Sequence, residues 1–352
     1  MQIEDLSVPG WERVVRAQDE ASGLDAIIAI HDVTLGPACG GCRFRPYQTF
    51  ESALEDVTRL SKGMTYKNAV GNIPFGGGKA VIIADPSSVK RTEIFRAFGQ
   101  ALEALDGAYY TAEDSGVTVE DMKIVRSVTP YVTGIGEARK GGNPAPFTAR
   151  GVFKGIEAAA AAKFGSSSLD GKRVAILGVG AVGTVLAELL HDAGASLVVA
   201  DVNESATRKA AELYGAQIVS PDLCISQDVD IFSPCALGGS IRKETISEIN
   251  AKIVAGAANN QLFTPDMDLA LQSREILYAP DYVINAAGVI SVGLEILESW
   301  TSEEITSRIN HIGDTLTKIF ERASAEKQPT GAIADAMALE IIAAAKMQKD
   351  NE

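Results

Sequence analysis

Histidine is scarce in this chain. It has three in 352 residues, at positions 31, 191 and 311, too far apart in sequence to mark a metal site. Cysteine is nearly as sparse, and four thiols do not make a disulfide framework at this length. Cys39 and Cys42 form a Cys-Gly-Gly-Cys pair, but no second pair completes a zinc site. Both read as reduced small hydrophobes, with a redox pair as the alternative. Basic residues are in deficit: 32 Lys and Arg against 46 Asp and Glu leave a net charge of -14, which argues against nucleic acid or an anionic membrane as partner. Long apolar runs are missing too. The longest uncharged one, Val174 to Ala187, is broken by glycine and too short to span a bilayer. The opening Met1-Gln-Ile-Glu-Asp-Leu is acidic and lacks the pattern of a secretory leader, so a cytoplasmic location is expected. What remains is a chain long enough for two domains, expected to bind small molecules and no metal.

The most informative stretch runs from Lys62 to Ile83. Val57, Leu60, Met64 and Lys67 are spaced three, four and three apart, which puts Lys67 on the buried face of a helix predicted over Phe50 to Ala69. Lys79 follows Gly76-Gly-Gly and opens the apolar run Ala80 to Ala84, predicted to be a buried strand. A helix end and a strand start thus bring two ammonium groups toward one core. Desolvation and mutual repulsion both lower a lysine's pKa, a general route to a base near neutral pH. Two snorkelling lysines are the bland alternative. A pair with one member behind three glycines favours a site that handles an anion and a proton.

Around that stretch the pattern predicts a strand at Ala26 to Ile30 and another through Cys39 to Arg43, where Gly40 and Gly41 either form a bulge or admit a ligand carboxylate to their N–H groups. A helix follows over Thr92 to Leu105, then a strand ending at Glu113-Asp114. Glu120 and Asp121 are expected to start the next helix. Asp114 reads either as a cap or as counter-ion and proton shuttle for the lysines. The punctuated stretch from 137 to 146 marks a domain boundary. Thr148, near the start of the next helix, is either a cap or a hydroxyl facing a ligand.

The second half carries Arg173-Val-Ala-Ile-Leu, then Gly178-Val-Gly180-Ala-Val-Gly183, then a helix and the strand Leu197 to Ala200 ending at Asp201. A strand before, a helix after and an acid 18 residues past the last glycine (183 to 201) together make the dinucleotide fingerprint. Gly178 makes the turn, Gly180 admits the pyrophosphate, Gly183 lets helix and strand pack, and the helix start faces the phosphates. Asp201 accepts ribose hydroxyls and repels a 2′-phosphate, which favours NAD over NADP. Four further short strands, near 217, 229, 252 and 276, complete the six of a doubly wound sheet. Asn259 and Asn260 follow one of them, either fixing a turn or holding the nicotinamide ribose or a substrate nitrogen.

Taken together, Gly36-Pro-Ala-Cys-Gly-Gly-Cys-Arg, Gly63-Met-Thr-Tyr-Lys, Gly76-Gly-Gly-Lys, Thr111-Ala-Glu-Asp, the 178–183 turn, Pro234-Cys-Ala-Leu-Gly, Ala257-Ala-Asn-Asn and Pro280-Asp-Tyr-Val-Ile-Asn-Ala resemble the amino-acid dehydrogenases acting on glutamate, leucine, phenylalanine and valine. The resemblance covers nearly the whole chain and is strongest to the leucine-type members. It implies two α/β domains, with a substrate domain over 1–146 and a Rossmann domain over 147–330. The helix from about 330 to 352 is expected to pack back on the first, and the active site to lie in the cleft between the two.

The implied activity is reversible NAD-dependent oxidative deamination by a homo-oligomer, from dimer to octamer. By family role, Lys67, Met64 and the Gly40–Gly41 backbone hold the substrate and its carboxylate. Lys79 is the base, and Asp114 relays protons. Cys39, Ala112, Val289 and Val292 line the side-chain pocket, with Asn260 also on the substrate. The cofactor is met by Gly178, Gly180, Ala181, Val182, Gly183, Asp201, Thr148, Cys235, Ala236 and Asn259. Two residues depart from the pattern: Cys39 stands where leucine-type members carry a larger aliphatic side chain, and Asn285-Ala-Ala-Gly replaces Asn-Ala-Gly-Gly. The same chemistry on aromatic amino acids is the nearest alternative. A non-catalytic dinucleotide-binding sensor is the alternative from another class.

Overall fold

The computed structural model describes residues 1–87, 90–135, 143–299 and 301–350. It divides into two compact units. The first comprises Met1–Asn143, Val289–Thr301 and Ala338–Glu352, and the second Pro144–Gly288 and Ser302–Met337. Of the boundary expected over 137–146, residues 137–142 lie outside the described residues. No described helix is long and apolar enough to cross a membrane.

The first unit holds strands β1 (Gln2–Leu6), β2 (Arg13–Asp19), β3 (Leu24–Asp32) and β4 (Ala38–Arg45), helix α1 (Phe50–Val70), β5 (Gly76–Ile83), α2 (Arg91–Glu103), β6 (Tyr109–Glu113) and α3 (Val119–Arg126). They form a six-stranded mixed sheet in the order β1-β2-β3-β5-β4-β6, parallel only between β5, β4 and β6. The central strands are largely apolar because both faces are covered. On β3, Ala26, Ile28 and Ile30 pack with Ile94, Phe95, Phe98 and Leu102 of α2. Ile27 and Ala29 pack on the other face with Ala53 and Val57 of α1 and with Val81 of β5. By the same alternation Lys79 projects to the α1 face, between Gly77 and Val81. Thr118 is the N-cap of α3 and Asp121 completes its capping box from the first turn, where Glu120 also lies, so both acids stand at the helix start as expected.

Two expectations about this region need correction. Strand β5 begins at Gly76 rather than Lys79, so the three glycines lie inside the sheet instead of forming a loop before it. The buried seam of α1 is Ala53, Val57, Ser61, Thr65 and Asn68, not the stripe through Leu60, Met64 and Lys67, which are half-buried. The cause is one close approach. A Cβ on Gly77 would lie 2.1 Å from the Thr65 backbone nitrogen, so helix and strand meet backbone to backbone and only small polar side chains fit between them. Asn68 Nδ2 donates to Gly76 O at 2.6 Å, and His31 Nδ1 lies 2.9 Å from Thr65 Oγ1.

The second unit opens with α4 (Ala145–Phe164), followed by β7 (Arg173–Leu177), α5 (Ala181–Asp192), β8 (Ser196–Ala200), α6 (Glu204–Tyr214), β9 (Gln217–Ile218), α7 (Pro221–Cys224), β10 (Ile231–Pro234), β11 (Ile253–Val254), α8 (Asp266–Ser273), β12 (Leu277–Tyr278) and α9 (Asp281–Ile284). Of the remaining helices, α10 (Ala287–Ile296) belongs mostly to the first unit, α11 (Ser302–Glu326) to the second, and α12 (Thr330–Lys349) to the second up to Met337 and to the first from Ala338. The six strands are all parallel in the order β12-β11-β10-β7-β8-β9, the doubly wound arrangement in which the chain reverses direction between β7 and β10.

Candidate active site

Four of the sequence motifs meet in the first unit. A Cβ on Gly40 would lie 1.9 Å from Gly78 O and 3.1 Å from Met64 Cγ. One on Gly41 would lie 2.9 Å from Asp114 Cβ. The glycine pair of β4, helix α1, the glycine strand β5 and the end of β6 therefore surround a single point. On β4 the register with β5 runs through Ala38 and Cys39 and resumes only at Cys42, while Gly40 and Gly41 stay paired to Thr111 and Ala112 of β6. The buried Tyr109 hydroxyl donates to Gly40 O at 2.7 Å, tying down the backbone where that ladder lapses.

Lys79 is 7% exposed, and its Nζ lies 2.8 Å from Asp114 Oδ2. Arg43 Nε reaches the same oxygen at 3.3 Å, and its Nη1 donates at 2.8 Å to Asp56 Oδ2, which also accepts from the Tyr47 hydroxyl at 2.8 Å. Burial alone would push the Asp114 carboxyl up. Lys79, Arg43 and the hydrogen bonds outweigh it and hold the group below the usual carboxylate range. Of the two sequence readings of Asp114, cap or counter-ion, its placement matches the second. Lys67 is half-buried in the last turn of α1.

Cys39 is 1% exposed on β4, and burial pushes its thiol up to about 12 against the opposing pull of Lys79. It and Cys42 are buried free thiols. Ala112 is buried, and the 132–134 segment runs beside it: Thr133 N donates to Thr111 O at 2.9 Å, and a Cβ on Gly134 would sit 3.9 Å from Ala112 Cβ. Val289 and Val292, half-buried on α10, belong to this unit as well. Thr133 Oγ1 donates to Val292 O at 3.5 Å, and a Cβ on Gly293 would lie 2.6 Å from Ile73 Cγ2. Phe75, Tyr110 and Tyr131 form an edge-to-face row.

In the second unit the glycine turn has the shape its sequence predicts. Gly178 adopts φ +101°, open to glycine at little cost. A Cβ on Gly183 would lie 2.0 Å from Gly178 O, whereas one on Gly180 would meet nothing within 4 Å. Packing therefore explains Gly183 but not Gly180, which fits a surface kept clear for a ligand. Gly180 is the N-cap of α5 and offers no side-chain cap. The amides of Ala181, Val182 and Gly183 precede the first helical bond, from Thr184 N to Gly180 O at 2.9 Å, and form the kind of helix start that binds a phosphate. These residues fit a dinucleotide. Asp201 does more than its sequence position implied: Oδ2 accepts from Val179 N and Oδ1 from Asn203 N, both at 2.8 Å, so it also braces the turn.

Ala236 packs against this turn, with its nitrogen 2.6 Å from a Cβ built on Gly178, and Cys235 N donates to Leu177 O at 2.7 Å. Thr148 lies inside the first turn of α4, where its hydroxyl donates to Pro144 O at 3.1 Å, so it is not the cap. Asn260 adopts φ +52°, which fits the turn-fixing alternative, while the exposed Asn259 accepts at Oδ1 from Asn285 Nδ2 at 2.8 Å. Sequence reasoning missed Arg43, Tyr109 and Asn285. Arg43 and Asn285 stood inside quoted motifs, but no spacing rule connects Arg43 to Asp114 across 71 positions.

With this geometry in hand, comparison with known proteins is decisive. The family model described as "Glu/Leu/Phe/Val dehydrogenase, dimerisation domain" matches residues 11–131, and that described as "Glutamate/Leucine/Phenylalanine/Valine dehydrogenase" matches 144–209 and 199–351. The chain belongs to this family. It is 49% identical to the leucine dehydrogenase of Bacillus subtilis over 333 residues, covering 94% of this chain and 91% of that enzyme. It is 44% identical to the L-tryptophan dehydrogenase of Nostoc punctiforme over 348 residues, covering 99% and 98%. The crystal structure of a tryptophan dehydrogenase from that organism superposes with a TM-score of 0.85 at 42% identity, covering 96% of this chain and 97% of that one. The protein is an amino-acid dehydrogenase, an oxidoreductase of an NAD(P)-dependent family.

Proposed function

We propose that the protein carries out NAD-dependent, reversible oxidative deamination of branched-chain L-amino acids, consuming water and yielding the 2-oxo acid, ammonium and reduced cofactor. The observation that carries this reading is the contact of buried Lys79 with half-buried Asp114 at 2.8 Å, set where the Gly40–Gly41 backbone and the end of β6 converge.

Lys67 and the Gly40 and Gly41 amides hold the substrate carboxylate, with Met64 beside them. Bound NAD supplies the acceptor for the hydride that leaves the α-carbon. Lys79 takes a proton from the water as it adds to the imine carbon; that proton passes through Asp114 to the departing nitrogen, and Lys79 then takes the hydroxyl proton as the carbonyl forms. Asp114, beside Lys79 and Arg43, moves protons to and from the departing nitrogen. Fixing the reactants and moving protons at set positions are each worth orders of magnitude in rate, about 10²–10⁴ for the acid–base part. The Gly178–Gly183 turn and the amides of Ala181 and Val182 hold the pyrophosphate. Cys235, Ala236 and Asn259 contact the cofactor, Thr148 its carboxamide, and Asn260 the substrate.

The Asp201 carboxylate at the end of β8 favours two free ribose hydroxyls over a 2′-phosphate, hence NAD over NADP. Cys39, Ala112, Val289 and Val292 are all uncharged, so a glutamate side chain would lack a partner for its carboxylate. Leucine dehydrogenases at 47–49% identity support the branched-chain preference. A second reading, aromatic amino acids, draws on the Phe75–Tyr110–Tyr131 row and the tryptophan dehydrogenase at 44% identity. Assembly into a homo-oligomer accords with the dimerisation-domain match.

Following the absorbance of reduced nicotinamide with leucine, valine, phenylalanine, tryptophan and glutamate, with NAD and with NADP, separates the readings. Leucine and valine with NAD should give the highest kcat/KM. Highest turnover with tryptophan or phenylalanine would favour the aromatic reading, and no turnover with any substrate would leave a sensor.

A further inference from the structure

The buried Asn285, just past α9, decides how the exposed Asn259 faces its ligand. Asn285 is 4% exposed, and its Nδ2 donates to Ala257 O at 3.1 Å and to Asn259 Oδ1 at 2.8 Å. The first bond fixes the orientation of the Asn285 amide, because a main-chain carbonyl only accepts and must be met by NH2. That NH2 has only a hydrogen to offer Asn259, so the Asn259 atom facing it is the oxygen. The end of Asn259 left for a ligand is therefore its own NH2.

The backbone beneath Asn259 is held from several sides. Gln261 Nε2 donates to Gly256 O at 2.7 Å and to Ala258 O at 3.1 Å, and Gln261 N donates to Asp281 Oδ2 at 3.1 Å. Gly239 N donates to Asn260 O at 2.7 Å, and a Cβ on Gly238 would sit 2.2 Å from Asn259 O. With the main chain pinned, the two-fold choice of the Asn259 amide is the variable that Asn285 settles. The loop also lies on a defined side of the sheet. Asp201 ends β8, on one side of the β7/β10 reversal, and Asn259 follows β11, on the other. A dinucleotide laid across the reversal with its adenosine ribose at Asp201 brings its nicotinamide half toward β10 and β11.

We propose that Asn285 is a positioning residue that holds Asn259 as a dedicated hydrogen-bond donor to an oxygen of the nicotinamide half of the cofactor. This rests on the dinucleotide reading above. The Asn259 oxygen, engaged by Asn285, is then not directed at the substrate ammonium.

NADH fluorescence titration of the full-length protein tests the proposal. One neutral hydrogen bond predicts roughly a 3- to 10-fold loss of NADH affinity in Asn259→Ala. Asn285→Ala should lose a similar factor in the native background and almost nothing further in the Asn259→Ala background, since it acts through that residue. Asn259→Asp keeps an acceptor for Asn285 but offers the cofactor only oxygen, so it should bind NADH no better than Asn259→Ala. In turnover, the losses should appear in the KM for NAD more than in the KM for the amino acid. Native affinity in Asn259→Asp overturns the proposal, as does an Asn285→Ala loss of equal size in both backgrounds. The Asn259 variants change an exposed side chain, so they stay decisive even where Asn285→Ala fails to fold. An unmodified protein that binds no NADH would instead overturn the dinucleotide reading on which the proposal stands.

Discussion

Each unit contains an aspartate at least partly withdrawn from solvent, and the two are perturbed in opposite directions. Asp114, in the first unit, would be pushed up by burial, but Lys79 at 2.8 Å and Arg43 at 3.3 Å hold it below the usual carboxylate range. Asp268 on α8, in the second unit, forms no ion pair among the described residues, and burial pushes it up to about 6 with Asp335 adding to the rise. It accepts from Gly331 N at 2.8 Å, anchoring the start of α12 beside a cavity of about 750 Å³ lined partly by Lys163, Tyr278 and Phe320. Burial therefore does not mark a reactive carboxylate; the company it keeps does. The first unit assembles buried and half-buried charges of both signs around the glycine pair. The candidate ligand surface of the second unit is built from backbone amides and glycines, with Asp201 at its edge also bracing the turn.

That contrast predicts two separable losses, the larger in the first unit. Lys79→Ala should lower kcat about 10³- to 10⁴-fold, at the upper end of what a positioned acid–base group supplies. Because Arg43 still partners Asp114, the variant escapes the cost of a buried orphan charge and should fold. Its NADH affinity should stay within about twofold of native, given that the Gly178–Gly183 turn has no lysine in it. A variant that keeps near-native turnover would remove Lys79 from the chemistry. Conversely, Gly183→Ala forces a Cβ into Gly178 O, 2.0 Å away, and must distort the turn. It should weaken NADH binding by about tenfold or more while leaving the KM for the amino acid, measured at saturating NAD, almost unchanged; a 1 Å displacement of positioned groups carries such penalties. Unaltered NADH affinity would mean that the cofactor does not lie on that turn.

A smaller effect belongs to Tyr109. Tyr109→Phe removes the hydroxyl that meets Gly40 O at 2.7 Å, leaving that carbonyl without the bond at the point where β4 lapses from β5. Losing a partner from a buried acceptor costs about 1–3 kcal/mol. A loosened Gly40–Gly41 backbone should raise the KM for the amino acid by about tenfold with kcat little changed, and an unchanged KM would detach Tyr109 from carboxylate binding.

The same two regions also differ in what the sequence makes legible. The Gly178–Gly183 turn can be read because all its determinants fall within one strand–turn–helix unit. Lys79 and Asp114 can be singled out because each ends or punctuates an apolar run. Arg43 cannot be assigned to Asp114, nor Asn285 to Asn259, because those bonds join distant segments whose approach only the fold supplies. The α1 seam was misread for a related reason. Apolar periodicity selected Leu60 and Met64, but Gly77 draws the helix so close to β5 that Ser61, Thr65 and Asn68 are the side chains buried.

The smallest expected effect returns to Asp268 and concerns stability. A carboxyl whose pKa is raised on folding binds a proton that the unfolded chain has already released. Stability therefore falls as pH rises from the ordinary carboxyl value of 3.8 through about 6, and the penalty is complete above that. Asp114 has the opposite sign: its contribution is present above its ordinary value and is lost only as acid titrates it through its lower folded value. The Asp268 displacement corresponds to an upper bound of about 3 kcal/mol at neutral pH, reduced by whatever Gly331 and Thr330 lose when the charge is removed. Asp268→Asn keeps an oxygen for the Gly331 amide, so it should raise Tm by about 2–5 °C at pH 8, with the gain shrinking toward zero as pH approaches 4. Turnover and NADH affinity should not move, because Asp268 lies outside both proposed binding surfaces. A Tm that falls equally at both pH values would show that the ionised carboxylate is needed to hold α12, and that burial costs Asp268 far less than its environment implies.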